Sequence, residues 1–320
     1  MKAKIAGVGA YLPKRVLTNA EISTFVETSD SWIQERVGIR ERRIAEGHET
    51  NAFMATEAAR AALIHAGVSA TEIDLIVVTT STPDHMMPGV ACTVQANLGA
   101  HCPAFDLNAA CGGFIYGLHT VKQFFDAGSV RHVLLIGSEL MSRIVDWTDR
   151  ATCVLFGDGA GAVVLSESEA PGILASCIFA EGSHRELLYV SPHLRPDAFS
   201  SVCPVPQIKM EGNKVFRVAV EKMGELVDII LAEAGCTRDQ IDFLVPHQAN
   251  ERIIAATAKK LNLSMDKVIL TLGLQGNTMS ATIPLALAEA VHSGKIKRGD
   301  LLLFEAFGAG FVWGASLVRY

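Results

Sequence analysis

Cys111 sits in the run FDLNAACGGFIYGL (105–118), between two alanines and two glycines. PAFDL is strand-like, NAA forms a tight corner, and GGFIYGLHTVKQFF carries apolar residues at helical spacing. A thiol at that junction stands at a helix start. Exposed N–H groups and the positive dipole end there favour thiolate over thiol. Small neighbours give a substrate access to the sulfur, and the backbone N–H of Cys111 faces the place where an oxyanion would develop. The arrangement is a nucleophile elbow carrying cysteine in place of serine. A cysteine nucleophile needs polar partners. Of ten histidines, His247 stands out because it ends the buried run FLVP and precedes Gln-Ala-Asn and the helical pattern ERIIAATAKKL. Asn277 lies in LQGNTMSATIPLALAEAV, a third turn before a helix. Each alone reads as an ordinary structural residue: a core thiol, a satisfied histidine, a cap. At three similar strand-to-helix corners they point together to a cysteine nucleophile with polar partners.

The elements that must hold these corners alternate along the chain. LIVVTT (75–80), HVLLIGS (132–138), GAVVLSE (161–167), FLVPHQ (243–248) and LLLFEA (301–306) are apolar on both faces, as strands covered by helices on both sides are. A repeat underlies the alternation. HAGVSATEIDLIVV from His65 and EAGCTRDQIDFLVP from Glu233 share Ala-Gly and Ile-Asp at an offset of 168. DAGSVRHVLLIGSE (126–139) and HSGKIKRGDLLLFEA (292–306) share a second pattern in the same order. Two similar α/β halves follow, 1–170 and 171–320, packed sheet to sheet through shared central helices. The same offset sets Cys111 against Met279, beside Asn277.

The 320 residues are 49% apolar and 19% charged, enough for a large core, and the net charge of −6 gives no reason to expect nucleic acid. Seven cysteines, Cys92, Cys102, Cys111, Cys153, Cys177, Cys203 and Cys236, show neither C-x-x-C nor metal spacing. A reducing cytoplasm is therefore expected, with six of them buried structural thiols and no metal site. The N-terminal MKAKIAGVGAYLP reads as a first strand rather than a signal peptide. The apolar stretch 301–318 contains Glu305 and several glycines, so it reads as two strands and a turn, not a membrane span. GVGAYLP and FGDGAGAVVL both lack the dinucleotide-binding spacing.

NAACGGF, VPHQANERI and GNTMSATIP, in this order, resemble the three active-site motifs of the β-ketoacyl-acyl-carrier-protein synthase III family. TSDSWIQERVGIRERR (28–43), DRATCVLFGDGAGAVVL (149–165) and the terminal EAFGAGFVWGASLVRY extend the match from end to end. The resemblance implies a thiolase-like five-layer α-β-α-β-α fold, internally duplicated, and a homodimer in the cytoplasm. It implies that Cys111 takes an acyl group from acyl-CoA, with acetyl-CoA the expected donor, and condenses it with malonyl-acyl-carrier protein, releasing CO2. His247 and Asn277 would hold the malonyl thioester oxygen, and the N–H groups of Cys111 and Ala309 the acyl oxyanion. Trp32 and Arg150 would stack on the CoA adenine, with Thr28, Arg36, Phe216 and Asn250 along the channel. Arg217, Arg252, Lys259 and Lys260 form a basic group suited to docking the acidic acyl carrier protein. No metal or redox cofactor is implied. Gln275, Met279, Ser280 and Ala309 depart from the commonest family pattern. Met87 replaces a rigid aromatic that floors the partner's acyl pocket, which suits longer or branched chains. A related acyltransferase or condensing enzyme of secondary metabolism, with a different acceptor, is the alternative. A scaffold with a dead site is the non-enzyme reading, and the complete Cys-His-Asn set argues against it.

Overall fold

The computed structural model describes residues 2–191, 197, 200–201 and 204–320. Cys203 lies outside the described residues. Both copies of the repeated Ala-Gly end a helix in the same way. Gly67 and Gly235 close the helices Asn51–Ala66 and Gly212–Ala234 at φ 65° and 63°. That left-handed conformation costs a residue with a Cβ about 1–2 kcal/mol and glycine almost nothing. After each glycine the chain turns and enters a buried strand, Leu75–Thr79 in one copy and Phe243–Pro246 in the other.

These strands join two sheets. The first runs in the order Lys2–Tyr11, Asp158–Ser168, His132–Leu140, Leu75–Thr79, Ala104–Leu107. The second runs Ile173–Ala180, Val312–Arg319, Leu301–Gly308, Phe243–Pro246, and a parallel bridge from Leu244 to Val268 extends it. Each order begins with two antiparallel pairings and continues with parallel ones. The chain passes from one sheet to the other between Ser168 and Ile173. The stretch 301–318 forms two paired antiparallel strands, and among the described residues no helix is long and apolar enough to cross a membrane.

Alternate residues of the inner strands feed different cores. Val77, Val133 and Leu135 point to the layer between the sheets, which holds the helices Gly113–Asp126 and Thr282–His292 through Phe114, Leu118 and Ile283. Ile76, Val78 and Leu134 point outward to Asn51–Ala66 and its neighbour Val90–Leu98. On the far side, Leu301, Leu303 and Leu317 meet Gly212–Ala234 and Glu251–Leu261 through Leu226, Ile230 and Ile254. The five layers are therefore helix, sheet, helix, sheet, helix. Two-sided burial is why these strands read as continuous apolar runs.

The internal symmetry is closer at the centre than the sequence offset suggests. The short 3-10 turns Ala110–Gly112 and Met279–Ala281 each lead directly into a central helix. Ala110 and Met279 both hold positive φ, 46° and 47°, the sole non-glycine residues besides Asn262 to do so among those described. The offset is here 169, one residue longer. Cys111 is thus matched by Ser280, not by Met279, and Asn277 is matched by Asn108.

Candidate active site

The nucleophile turn is fastened at both ends. Asn108 Oδ1 accepts the Ala110 N–H at 3.1 Å and the Ser81 hydroxyl at 2.9 Å. Asn277 Oδ1 accepts the Met279 N–H at 2.8 Å in the matching turn. Gly308 lies directly behind Cys111, where an added Cβ would stand 2.8 Å from the Cys111 nitrogen. Cys111 ends up 7% exposed at the bottom of a cavity of about 1490 Å³. His247 and Asn277 line the same cavity, with Ala309 and Gly310 from the last hairpin.

His247 is placed by its neighbours. Its backbone N–H donates to the Glu305 carbonyl at 2.8 Å. Gln248, fully buried, donates to Pro246 and Ile269 carbonyls and accepts the Thr271 and Leu272 N–H groups. That latch explains the glutamine of the Pro-His-Gln run. His247 Nδ1 lies 2.7 Å from the Thr282 hydroxyl, and Nε2 is buried with no partner among the described residues. Burial pushes the imidazole down to about 3, so it is neutral at physiological pH. The Asn277 amide is oriented too: with Oδ1 held by Met279, its NH2 remains for a ligand.

One electrostatic expectation meets an opposing effect. The helix start was expected to favour thiolate, but burial pushes the Cys111 thiol up to about 12, with the Glu139 charge adding to it. Glu139 is itself fully buried. Desolvation raises it to about 7 against hydrogen bonds from Thr82, Ser280 and the Ser81 N–H. The thiol of the unliganded protein is therefore protonated. The other cysteines divide. Cys102, Cys153 and Cys177 are buried and Cys236 half-buried as free thiols, whereas Cys92 is exposed, contrary to expectation.

The entrance gathers most of the expected channel residues. Ser29 caps the helix Asp30–Val37, which sets Trp32 and Arg36 four residues apart on one face. The Arg150 guanidinium lies 5.0 Å and that of Arg36 5.9 Å from the Trp32 ring. Arg252 lies 5.0 Å from the Phe216 ring, and Asn250 caps its own helix while donating to the Arg36 carbonyl. All six line the cavity with Arg217, but Thr28 does not. Lys259 and Lys260 lie at the far end of the helix Glu251–Leu261, outside the cavity lining, and Lys260 pairs with Asp228 at 3.0 Å. Met87 is 82% exposed and is not part of this chain's cavity, although Met86 is. Gln275 donates to Glu289 at 2.9 Å.

The model of 3-oxoacyl-[acyl-carrier-protein] synthase III matches residues 105–182, and that of its C-terminal part matches 231–320. The β-ketoacyl-[acyl-carrier-protein] synthase III of Alkalilimnicola ehrlichii is 52% identical over 99% of both chains. The chain belongs to the synthase III family. The Thiobacillus denitrificans synthase III is 50% identical, again over 99% of each chain. The crystal structure of the Aquifex aeolicus synthase III superposes with a TM-score of 0.94 at 48% identity, covering 99% of this chain and all of that one. The priming β-ketosynthase of the R1128 polyketide pathway superposes at 0.95 with 37% identity, over 99% and 96%. Synthase III members are acyltransferases of the condensing type, and this chain is an initiating condensing enzyme of type II fatty acid synthesis.

Sequence reasoning missed Asn108, Glu139 and Thr282. Aligning NAACGG with NTMSAT at an offset of 169 brings out Asn108. Glu139 follows a buried strand run and carried no motif, and Thr282 looked like an ordinary first helical residue. Among the described residues, no group of three or more metal-ligating side chains occurs.

Proposed function

We propose that Cys111 takes the acyl group of an acyl-CoA and passes it to malonyl-acyl-carrier protein with loss of CO2. The observation that supports this is the convergence of Cys111, a neutral His247 and an oriented Asn277 on one cavity whose mouth carries Trp32 and Arg150. In the first half, the Cys111 sulfur attacks the thioester carbonyl, the carbon–sulfur bond to CoA breaks, and the thiol proton leaves with CoA. The N–H groups of Cys111 and Ala309 face the tetrahedral oxyanion. The site must lower the high thiol pKa on binding substrate. An adenine against Trp32 and Arg150, and phosphates beside Arg36, would bring the thioester to the sulfur.

In the second half, the malonyl C–CO2 bond breaks and its electron pair becomes the enolate of the carrier-bound acetyl unit. His247 Nε2–H and the Asn277 NH2 donate to that enolate oxygen. The α-carbon then attacks the acyl-cysteine, expelling Cys111 as a thiolate that takes up a proton from water to regenerate the thiol, and 3-oxoacyl-acyl-carrier protein leaves. A buried neutral imidazole suits this role because a donor is needed and a proton acceptor is not. Arg217 and Arg252 at the rim are the docking contacts for the acidic carrier, while Lys260 is already engaged by Asp228. Lys259 would add long-range attraction. The enzyme works in the cytoplasm without a cofactor, as a homodimer in which Met87 reaches the partner's acyl pocket. Its halves, 1–170 and 171–320, act as one catalytic unit.

Incubation with acetyl-CoA followed by mass spectrometry tests the first half. An acyl adduct on Cys111 is expected, and its absence overturns the reading. Release of CO2 from malonyl-acyl-carrier protein, lost on Asn277→Ala, tests the second.

A further inference from the structure

Thr282 opens the central helix Thr282–His292, directly after the turn that carries Asn277 and Met279. Its Oγ1 stands 2.7 Å from His247 Nδ1 and 2.9 Å from the Met279 carbonyl oxygen. A hydroxyl has one hydrogen, so it can donate to only one of these two. A neutral imidazole also has one hydrogen, on Nδ1 or on Nε2. The two choices are linked. If the hydroxyl donates to Met279, Nδ1 carries the hydrogen and Nε2 presents a bare lone pair. If the hydroxyl donates to Nδ1, the hydrogen sits on Nε2.

Three observations bear on the choice. The Met279 carbonyl already accepts the backbone N–H of Thr282, so it does not depend on the hydroxyl. Among the described residues His247 Nδ1 has no other partner, and its contact with Oγ1 is the shorter of the two. Nε2 is buried, without a partner among the described residues, in the wall of the cavity shared with Cys111 and Asn277. Counting internal bonds alone favours the other arrangement by one bond. A thioester or enolate oxygen arriving at Nε2 is an acceptor, however, and a bare lone pair there would repel it.

We propose that Thr282 is a positioning residue: its hydroxyl donates to His247 Nδ1 and so fixes the Nε2–H tautomer that faces the cavity. This rests on the catalytic reading above and deepens it. One short turn then orients both donors. The Met279 N–H turns the Asn277 NH2 toward the ligand, and the Thr282 hydroxyl sets the hydrogen of His247. The positive φ of Met279 is part of that turn, which accounts for tolerating a strained backbone there.

The test combines a nitrogen spectrum with the two half-reactions. In protein labelled with 15N-histidine, His247 is expected to show a protonated Nε2 and an unprotonated Nδ1. Thr282→Ser should keep that pattern, and Thr282→Val should lose the single tautomer. In Thr282→Val, CO2 release from malonyl-acyl-carrier protein should fall about a hundredfold, the lower end of what loss of one oxyanion donor costs. Acylation of Cys111 by acyl-CoA should change by less than about threefold, a split that general damage to the core would not produce. A wild-type spectrum with Nδ1 protonated overturns the proposal, whatever the variants do. So does an equal fall of both half-reactions in Thr282→Val with no rescue by Thr282→Ser. A wild-type protein that never takes an acyl group on Cys111 overturns the catalytic reading instead, with the tautomer still decided by the nitrogen spectrum.

Discussion

Alkylation of Cys111 in the substrate-free protein sets two physical effects against each other. A helix start stabilises an anion by up to about 2 kcal/mol, or about 1.5 in pKa. Burial and the Glu139 charge act the other way and carry the thiol from 9.0 to about 12. Burial therefore wins. At pH 8 a thiol with pKa 12 is thiolate about one part in 10⁴, against about one part in four for an ordinary thiol of pKa 8.5. A more basic thiolate is the better nucleophile, and over that interval a Brønsted slope near 0.45 recovers roughly fortyfold. The net expectation is alkylation by iodoacetamide about fiftyfold slower than at an ordinary exposed thiol. The rate should rise about tenfold per pH unit up to pH 10. Peptide mass spectrometry follows Cys111 and Cys92 in one sample, and Cys92, exposed on the same chain, is the internal reference. Glu139→Gln removes the nearby carboxylate and should move the Cys111 profile to lower pH. A profile already flat above pH 7, or Cys111 reacting before Cys92 at neutral pH, would refute this reasoning and return the advantage to the helix end.

Trp32→Ala removes the ring beneath Arg150 and should raise KM for acyl-CoA about threefold to tenfold with kcat little changed, matching a contact worth about 1 kcal/mol; steady-state kinetics would show it. Gly308→Ala drives a methyl against the Cys111 and Gly112 nitrogens, backbone that cannot swing aside, and denaturant titration should show a loss of about 1–3 kcal/mol with slower acylation. Glu305 is buried, and among the described residues neither carboxyl oxygen has a hydrogen-bond partner of good geometry; desolvation raises it to about 8, with the nearby Thr257 hydroxyl offsetting a little. Because the folded state keeps this proton longer than the unfolded chain, stability falls as pH rises from about 4.3 toward 8. Glu305→Gln should therefore be more stable than wild type by roughly 2–4 kcal/mol at pH 7–8, the gain vanishing near pH 4 in thermal melts.

The residue types and their order were enough to find the corners. Apolar runs located most of the main strands because two-sided burial leaves them unbroken, although Ile173–Ala180 was not among them, and a glycine at each helix end marked the duplication. Cys111, His247 and Asn277 were legible as polar exceptions at strand-to-helix junctions, and Trp32, Arg36 and Arg150 through the family's motifs. What tertiary structure alone decided is how these groups are tuned. The 169-residue match of Cys111 with Ser280 depends on one extra residue between the halves, which a fixed offset of 168 could not follow. The high pKa of Cys111 arises from burial and from Glu139, 28 positions away, whereas a local motif shows only the helix start. Lys259 and Lys260 sit outside the cavity because they lie at the far end of their helix, and Thr28 precedes the helix that carries Trp32 and Arg36; position in the fold, not residue type, sets which side chains face the cavity. Thr282 acquires its place beside His247 only when two strand ends from distant segments meet. Local sequence specifies backbone geometry and residue chemistry, but desolvation, charge proximity and the sharing of a single hydrogen are properties of atoms brought together by the fold.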